Sequence, residues 1–263
     1  MSSLQQLEDR LQAWRSFRGI ARATRALAAA QSLQWNEAAR RAEAHRQRCL
    51  AILDAYPGAR PSAGAPRIVL GVGSDLGLCG PFNRAIAERL GPARARASRT
   101  LVIGARLGQL VGEEASCIPS PTSFARAEAL ATELELLLAD APAERTHLVV
   151  VLATGVDPDG RPRVELLDET SPSPSPGLTA VELVGPERTE PLVAATARHA
   201  RLVAALARSA ASETEARWRT MNRAHDAADR RIGEQERELR KRRQELVTQE
   251  MLEARQGGRA PIA

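Results

Sequence analysis

The sequence predicts an α/β protein in which two long terminal helices form an antiparallel coiled coil, with a compact α/β domain between them. Two observations favour the long helices: residues 3–56 and residues 192–253 both lack proline, and each stretch contains a single glycine. A third observation places the domain in the middle of the chain. Short apolar runs alternate there with helical patterns, which is typical of a doubly wound sheet.

The first segment, residues 1–56, is predicted to supply one helix of the coiled coil. Leu4, Leu7, Leu11 and Trp14 recur at alternating steps of three and four residues, which places them on one helix face. The next stretch, YPGARPSAGAP at residues 56–66, is rich in proline and glycine. We interpret it as a linker that ends the helix.

The last segment, residues 190–256, is predicted to supply the second helix. We expect this helix to run from Pro191 to about Glu253. Residues at strict three-four steps predict a heptad seam with polar residues set into it. The seam comprises Trp218, Met221, His225, Ala228, Ile232, Gln235, Leu239, Arg242 and Leu246. We interpret His225 as a seam residue rather than as a metal ligand.

The central segment, residues 67–185, is predicted to form the α/β domain. The runs RIVLGVG, TLVIGA and THLVVVLATGV predict buried parallel strands, and AIAERL and FARAEALATELELLLADA predict the helices that cross between them. PRVELLD and LTAVELV are further strand candidates on either side of a proline-rich loop at residues 170–177. The pattern predicts a small Rossmann-like domain.

The glycine-rich stretch GVGSDLGLCGPFN, residues 71–83, raises the question of a phosphate site. A dinucleotide fingerprint needs its third glycine where Leu76 stands. A Walker loop ends in a lysine and a hydroxyl residue, and Cys79-Gly80-Pro81-Phe82 supplies neither. We therefore predict no catalytic residue and no cofactor at this loop.

The cysteines and histidines predict no metal site. Cys49, Cys79 and Cys117 form no Cys-x-x-Cys pair, and the four histidines lack the spacing of metal ligands. Neither terminus shows a signal-peptide core, and no apolar run approaches the roughly 20 residues that span a bilayer. We expect a soluble, cytoplasmic protein.

The charge of the helices predicts an anionic partner. The chain has a net charge of +5, and between Arg10 and Arg48 nine arginines accompany only Glu37 and Glu43, a net of +7. Two basic helices repel each other unless something acidic surrounds them. Both DNA and an acidic protein sleeve satisfy this requirement. The sequence shows neither interleaved aromatic residues nor a recognisable reading helix, which argues against nucleic acid.

Three separated segments together resemble the gamma subunit of rotary F-type ATP synthases. Residues 20–31, IARATRALAAAQ, resemble the family stretch Ile-Thr-Lys-Ala-Met-Lys-Met-Val-Ala-Ala-Ala-Lys. Residues 74–83 resemble the family motif Ser-Asp-Arg-Gly-Leu-Cys-Gly-Gly-Phe-Asn. They agree with it at Ser74, Asp75, Gly77, Leu78, Cys79, Gly80, Phe82 and Asn83. SETEARWRTMNRAHDA and RKRRQELVTQEMLE, residues 212–227 and 240–253, resemble the family's C-terminal segments.

The resemblance implies a central rotor shaft. The coiled coil would insert into a ring of three alpha and three beta subunits, and the epsilon subunit and the membrane c-ring would be further partners. The shaft would couple ion flow through the c-ring to ATP synthesis or hydrolysis without being catalytic. ATP, ADP and Mg would lie on the alpha and beta subunits, so no cofactor is expected on this chain. The implied location is the cytoplasmic face of the bacterial inner membrane, and the glycine-rich loop becomes a structural strand-to-helix junction.

Two groups of residues match the family's contacts with the beta subunits. Arg22 and Arg25 match lysines in the helix that passes an acidic lever loop of beta, and Thr24 stands where the family usually has methionine. On the other helix, the matching residues are Arg243, Gln244, Thr248, Gln249 and Glu250.

Several positions depart from the family pattern. Leu76 replaces an arginine, Pro81 replaces a glycine, and the tail reads RQGGRAPIA in place of an alanine-rich cap. With Thr24 and the wording RALAAAQ, these departures favour the hypothesis of an alternative, N-type bacterial rotary ATPase. The paired-cysteine insert of the chloroplast form is missing, so we expect no redox control.

Two other classes of function compete with the rotor. A coiled-coil interaction or nucleic-acid-binding protein would account for the charge and the helices, but not for the central domain or the three segments. A nucleotide-dependent enzyme would have to use the loop at Gly71, whose spacing argues against it.

Overall fold

The computed structural model describes residues 3–61, 65–112, 116–139, 146–169 and 185–257. The chain divides into two compact units, one of residues 27–220 and one that combines residues 1–26 with residues 221–263. The first helix, α1 (Ser3–Asp54), and the last helix, α5 (Pro186–Gly257), contribute to both units.

The unit of residues 27–220 contains a five-stranded sheet. Its strands are β1 (Arg67–Val72), β2 (Arg99–Ile103), β3 (Ser116–Ile118), β4 (His147–Val156) and β5 (Pro162–Asp168). They lie in the order β3-β2-β1-β4-β5, and all neighbours are parallel except β5, which runs antiparallel to β4. This order is that of a doubly wound sheet with an added antiparallel edge.

Helices cover both faces of this sheet. They are α2 (Phe82–Arg94), α3 (Ala105–Val111) and α4 (Phe124–Ala139), together with parts of α1 and α5. Alternate strand residues belong to two separate cores, because successive side chains point to opposite faces. Ile68 and Leu70 pack with α4, α1 and α5, whereas Val69 packs with α2 and α3.

The predicted α/β fold is confirmed. The three apolar runs form β1, β2 and β4 as parallel strands, and PRVELLD forms β5. The short elements β3 and α3 were not predicted. LTAVELV and the loop at residues 170–177 lie outside the described residues, as does the chain after residue 257.

The last helix begins earlier than the sequence predicts. It starts at Pro186 and continues through Pro191, which lies inside it. Pro186 occupies the first helical position, where a missing N–H costs nothing. Pro191 lies in the second turn, so the helix gives up one early hydrogen bond without being broken.

The unit of residues 1–26 and 221–263 is an antiparallel helix pair. Leu7 and Leu11 of α1 pack with Ile232 and Leu239 of α5, and Trp14 lies beside this cluster. The predicted seam is therefore correct from Met221 to Leu239, with His225 partly buried within it. Its outer ends are wrong. Arg242 and Leu246 are exposed, as is every residue from 241 to 255.

Trp218, predicted at the start of the seam, is also exposed. It belongs to the unit of residues 27–220, where α5 instead turns Ala216 and Arg217 toward the α/β domain and buries both.

Ion pairs between the helices modify the expected repulsion. Arg15 pairs with Glu236 at 2.8 Å, Arg18 with Asp229 at 3.0 Å, and Arg243 with Glu8 at 2.5 Å. Carboxylates on one helix therefore compensate some arginines of the other. The hydrogen bond from Arg18 also lowers the pKa of Asp229 from its ordinary value.

Candidate functional site

The glycine-rich stretch forms the junction between β1 and α2, and three successive backbone N–H groups, those of Gly73, Ser74 and Asp75, donate to other groups of the protein. Gly73 N–H donates to the Ile103 carbonyl at 2.8 Å. The next two N–H groups donate to side chains: Ser74 N–H to Asn83 Oδ1 at 3.0 Å, and Asp75 N–H to Ser120 Oγ at 3.3 Å. A phosphate cradle requires such groups to face a ligand. This geometry favours a structural junction.

Asp75 joins three loops at the carboxyl ends of the parallel strands. Its Oδ1 accepts from Ala105 N–H at 2.7 Å, at the start of α3. Its Oδ2 accepts from the backbone N–H and the hydroxyl of Ser120, both at 2.8 Å. The carboxylate therefore occupies the sheet edge at which doubly wound proteins commonly bind ligands.

Buried side chains complete the junction. Asn83 Nδ2 donates to Ser74 Oγ at 2.9 Å, and Ser74 Oγ donates to the Leu76 carbonyl at 2.9 Å. Cys79 and Phe82 are buried beneath this network. Burial raises the pKa of the Cys79 thiol, which keeps it neutral at pH 7.

The tip of the loop bends through left-handed backbone conformations. Gly80 has φ 61° and lies beside Thr220 of α5. Leu78 has φ 65°, which is unusual for a bulky residue, and it is exposed. The structure thus brings all eight of the motif residues into one junction.

The residues predicted to contact beta subunits lie on the helix pair. Arg22 is exposed, Thr24 is partly buried, and Arg25 donates to Asn222 Oδ1 across the pair at 2.9 Å. Arg243 donates to Glu8, so its guanidinium already has a partner within the chain. The remaining four candidates, Gln244, Thr248, Gln249 and Glu250, lie on the exposed last turns of α5. Their contact role stays a prediction.

The excess positive charge lies entirely in the unit that holds these residues. Residues 1–26 and 221–263 contain 15 Lys and Arg against 10 Asp and Glu, a net of +5. Residues 27–220 contain 22 of each, a net of zero. The helix pair is therefore the part of the chain whose net charge favours an acidic partner.

Two features of the junction were missed by the sequence analysis. Ser120 holds the Asp75 carboxylate, and no sequence pattern relates two residues 45 positions apart. Glu213 and Arg217, one helical turn apart on α5, form an ion pair that is largely buried. Their spacing of four residues signals such a pair, but periodicity alone does not show that it is buried.

One cavity is lined by three arginines, each of which already forms an ion pair. It has a volume of about 490 Å³ and is lined by residues of α1, β4, β5 and α5. Arg40 pairs with Glu37 at 2.6 Å, Arg163 with Asp157 at 3.4 Å, and Arg208 with Glu43 at 3.9 Å.

No group of three or more metal-binding side chains occurs in the described part of the chain. No described helix is long and apolar enough to cross a membrane.

The chain combines a doubly wound α/β domain with a basic antiparallel helix pair, and comparisons with known proteins assign its family. A family model described as ATP synthase matches residues 3–260. The chain therefore belongs to this family, that of the ATP synthase gamma subunit. The match does not support the nucleic-acid-binding alternative.

Curated relatives and solved structures are similar to this chain. The ATP synthase gamma chains of Rhodobacter capsulatus and Cereibacter sphaeroides are each 34% identical to it over 116 residues. That match covers 40% of this chain, and the chain spans 39% of the length of these relatives.

Two structures of the Euglena gracilis mitochondrial ATP synthase resemble the fold. The rotor in rotational state 1 has a TM-score of 0.66 at 10% identity, with 93% of this chain and 99% of that chain covered. The assembly of OSCP, F1 and c-ring in rotational state 3 has a TM-score of 0.68 at 12% identity, with 99% and 97% covered. The central stalk of Tetrahymena thermophila has a TM-score of 0.52 at 19% identity, with 78% and 99% covered.

Proposed function

We propose that this chain is the central rotor shaft of a rotary ATP synthase and couples ion flow to ATP synthesis or hydrolysis on partner subunits. The observation that carries the proposal is the exposed end of α5. Leu246, Val247, Met251 and Leu252 are all exposed there, within a run from residue 241 to residue 255 that buries no side chain. Apolar side chains grouped in this way mark a surface that a partner covers.

The charge of the helix pair identifies the kind of partner. A net of +5 on this unit favours an acidic enclosing surface, and the partner proposed is a ring of three alpha and three beta subunits. Arg22 and Arg25 would face the acidic lever loops of beta, and Arg243 to Glu250 would lie deeper in the ring. The epsilon subunit and the membrane c-ring are the proposed partners of the rest of the rotor.

The mechanism of such a shaft is linkage between orientation and nucleotide state. An asymmetric shaft contacts each beta subunit differently, so each orientation favours a different nucleotide state on that subunit. By reciprocity, nucleotide turnover favours the next orientation. The chain needs no catalytic residue or cofactor for this role, because ATP, ADP and Mg would bind to the alpha and beta subunits. Its place would be the cytoplasmic face of the bacterial inner membrane.

The test is purification of this chain from gently solubilised native membranes, followed by mass spectrometry of the intact complex. We expect one copy of the chain with three alpha and three beta subunits. Recovery of the chain alone, or with nucleic acid, would overturn the proposal. The identity of the recovered subunits also decides the N-type hypothesis, which ordinary housekeeping alpha and beta subunits would contradict.

A further inference from the structure

The outer face of α5 in the helix pair carries a row of cationic side chains. Arg230, Arg237 and Lys241 are all exposed, and helix residues four and seven positions apart share one face. Ile232 and Leu239, each two residues after one of these arginines, are buried against α1 and therefore lie on the opposite face. We call the row of Arg230, Arg237 and Lys241 the outer stripe. It points away from the seam.

The outer stripe holds positive charge that this chain does not neutralise. Arg230 and Arg237 form no ion pair with another described residue, and Lys241 reaches a carboxylate of the next helical turn only at 4.0 Å. Glu234, which lies between the two arginines, is already paired with Arg231 at 2.9 Å. Residues 230–243 as a whole contain seven Lys and Arg against three Asp and Glu, a net of +4. A surface of this sign favours an acidic partner.

The arginines of α1 are less available. Arg15, Arg18 and Arg25 each bind a side chain of α5, at 2.8, 3.0 and 2.9 Å. A guanidinium that already donates within the chain must give up that contact before it binds a partner. Arg10 and Arg22 are the arginines of residues 3–26 that form no such contact, and they lie 12 residues apart. The longer row of uncompensated charge therefore belongs to α5.

The outer stripe continues into the exposed end of α5. Gln244 and Thr248 follow Lys241 at steps of three and four residues, and both are exposed. They are among the residues predicted to contact the beta subunits. Met251, three residues beyond Thr248, is also exposed. One face of α5 thus passes from cationic through polar to apolar side chains, as an interface with a polar rim and an apolar core does.

We propose that the outer stripe binds an acidic surface of a subunit in the enclosing ring, as a contact additional to Arg22 and Arg25 of α1. The assignment rests on the proposed rotor function, because it gives this face a partner in that ring. From residue 230 to residue 241 the stripe extends about 17 Å, at 1.5 Å per residue. A single carboxylate does not span this distance, so the partner surface is an acidic helix or loop. Such complementarity steers association and fixes which face of the shaft meets the subunit.

The first test uses Lys241, which is the only lysine in the sequence. A carbodiimide condenses a lysine amine with a carboxylate in contact with it and leaves an amide bond. In the purified complex, we expect mass spectrometry of the digested proteins to find Lys241 joined to an Asp or Glu of an alpha or beta subunit. Lys241→Arg keeps the charge without the amine and should lose this cross-link. Cross-links of Lys241 to Glu245 alone, in a complex that contains alpha and beta subunits, would overturn the proposal.

The second test removes the charge of the outer stripe. Its variant is Arg230→Gln/Arg237→Gln, and the matched control is Arg89→Gln/Arg96→Gln, which removes two exposed arginines from the α/β domain. We expect the first variant to recover about fivefold less alpha and beta subunit than the parent at about 0.05 M salt. The difference should disappear near about 0.5 M, where salt screens exposed charges. Equal recovery by the two variants at low salt would overturn the assignment.

The outcomes separate this proposal from the rotor proposal. Both variants replace exposed residues, so the unfolding of the isolated chain should stay unchanged and lost recovery would not reflect misfolding. If the parent chain recovers no alpha or beta subunit, the rotor proposal fails and this assignment fails with it. If the parent recovers them and Arg230→Gln/Arg237→Gln does so equally well, only the outer stripe is overturned. Recovery that nuclease treatment abolishes would make nucleic acid the occupant and overturn both.

Discussion

Gly104, at the end of β2, is a position where the junction admits no side chain. Its φ is 98°, and a Cβ atom there would lie 2.5 Å from the Ser74 nitrogen and 2.7 Å from the Ser74 carbonyl oxygen. Both contacts are to backbone, which cannot move aside as a flexible side chain can. The Gly104→Ala variant should therefore lose more than about 2 kcal/mol of unfolding free energy, measured by urea denaturation of the full chain.

Gly19 in α1 provides the control. A Cβ atom added there would meet no neighbouring group within 4 Å, and the residue is exposed inside a helix. Gly19→Ala should raise the free energy of unfolding by about 0.5–1 kcal/mol, because alanine favours the helix. If both variants lost similar stability, the close approach at Gly104 would not be what constrains the loop.

We expect Glu135 on α4 to make a pH-dependent contribution to the free energy of unfolding. Its Oε1 is buried without a hydrogen-bond partner, and burial is the main cause that raises its pKa to about 7. Glu169 raises this pKa further, whereas Arg198 lowers it. The folded state thus holds the proton more tightly than the unfolded chain, whose pKa for this group is near 4.5.

The sign of the effect follows from proton linkage. Stability from the protonated form is fully present below about pH 4.5 and is lost as the pH rises through about 7. Glu135→Gln should remove this component, so the variant should gain stability relative to the parent between pH 5 and pH 8. The melting temperatures of the variant and the parent, measured across this pH range, test this expectation. A constant difference between the two proteins would show that Glu135 keeps an ordinary pKa.

The helix pair depends on small residues at its seam. Ala21 and Ala228 are fully buried, and both lie between the Arg18–Asp229 and Arg25–Asn222 contacts. Ala228→Leu would force the helices apart at this point, at a cost of about 1–3 kcal/mol. Thermal unfolding followed by helical circular dichroism measures the change.

The control for this element is a leucine at an exposed position of the same helix. Arg237 is exposed, so Arg237→Leu should alter stability by less than about 0.5 kcal/mol. Equal losses in the two variants would mean that added bulk at Ala228 is accommodated and that the seam is loosely packed.

Most elements were predictable because their apolar patterns are long. The parallel strands β1, β2 and β4 are continuous apolar runs, and α1 contains no proline and a single glycine over its 52 residues. The elements that were missed are short: β3 has three residues and α3 has seven. Such lengths carry too little periodicity, and these elements exist because the neighbouring strands and Asp75 position them.

At the end of the seam, periodicity fails to predict burial, and the reason is a different one. The heptad pattern continues through Arg242 and Leu246, but burial ends at Leu239. A heptad specifies a face that a partner can cover, and it does not say whether the partner belongs to the same chain. The beta contacts remain predictions for the same reason, since a contact with another subunit leaves no trace in the packing of this chain.

At the scale of the whole molecule, the net charge and most of the buried core lie in different parts of the chain. The unit of residues 27–220 is neutral and holds three of the four buried clusters that the described residues form. The helix pair holds the net charge of +5 and the smallest of these clusters. A neutral domain that folds around its own core and a charged helix pair that buries few side chains suit different tasks. The helix pair therefore needs an enclosing partner more than the α/β domain does.

Met251 tests where that partner binds. It is 68% exposed, so Met251→Asp should leave the unfolding of the isolated chain unchanged. In the assembled complex, the same change would place a charge against the subunits that cover the end of α5. We expect the recovery of alpha and beta subunits with the affinity-purified chain to fall several-fold. The control is Leu110→Asp on α3, a similarly exposed leucine outside the helix pair, which should preserve that recovery. Full recovery with Met251→Asp would mean that the end of α5 lies outside the ring, and the apolar residues there would need another explanation.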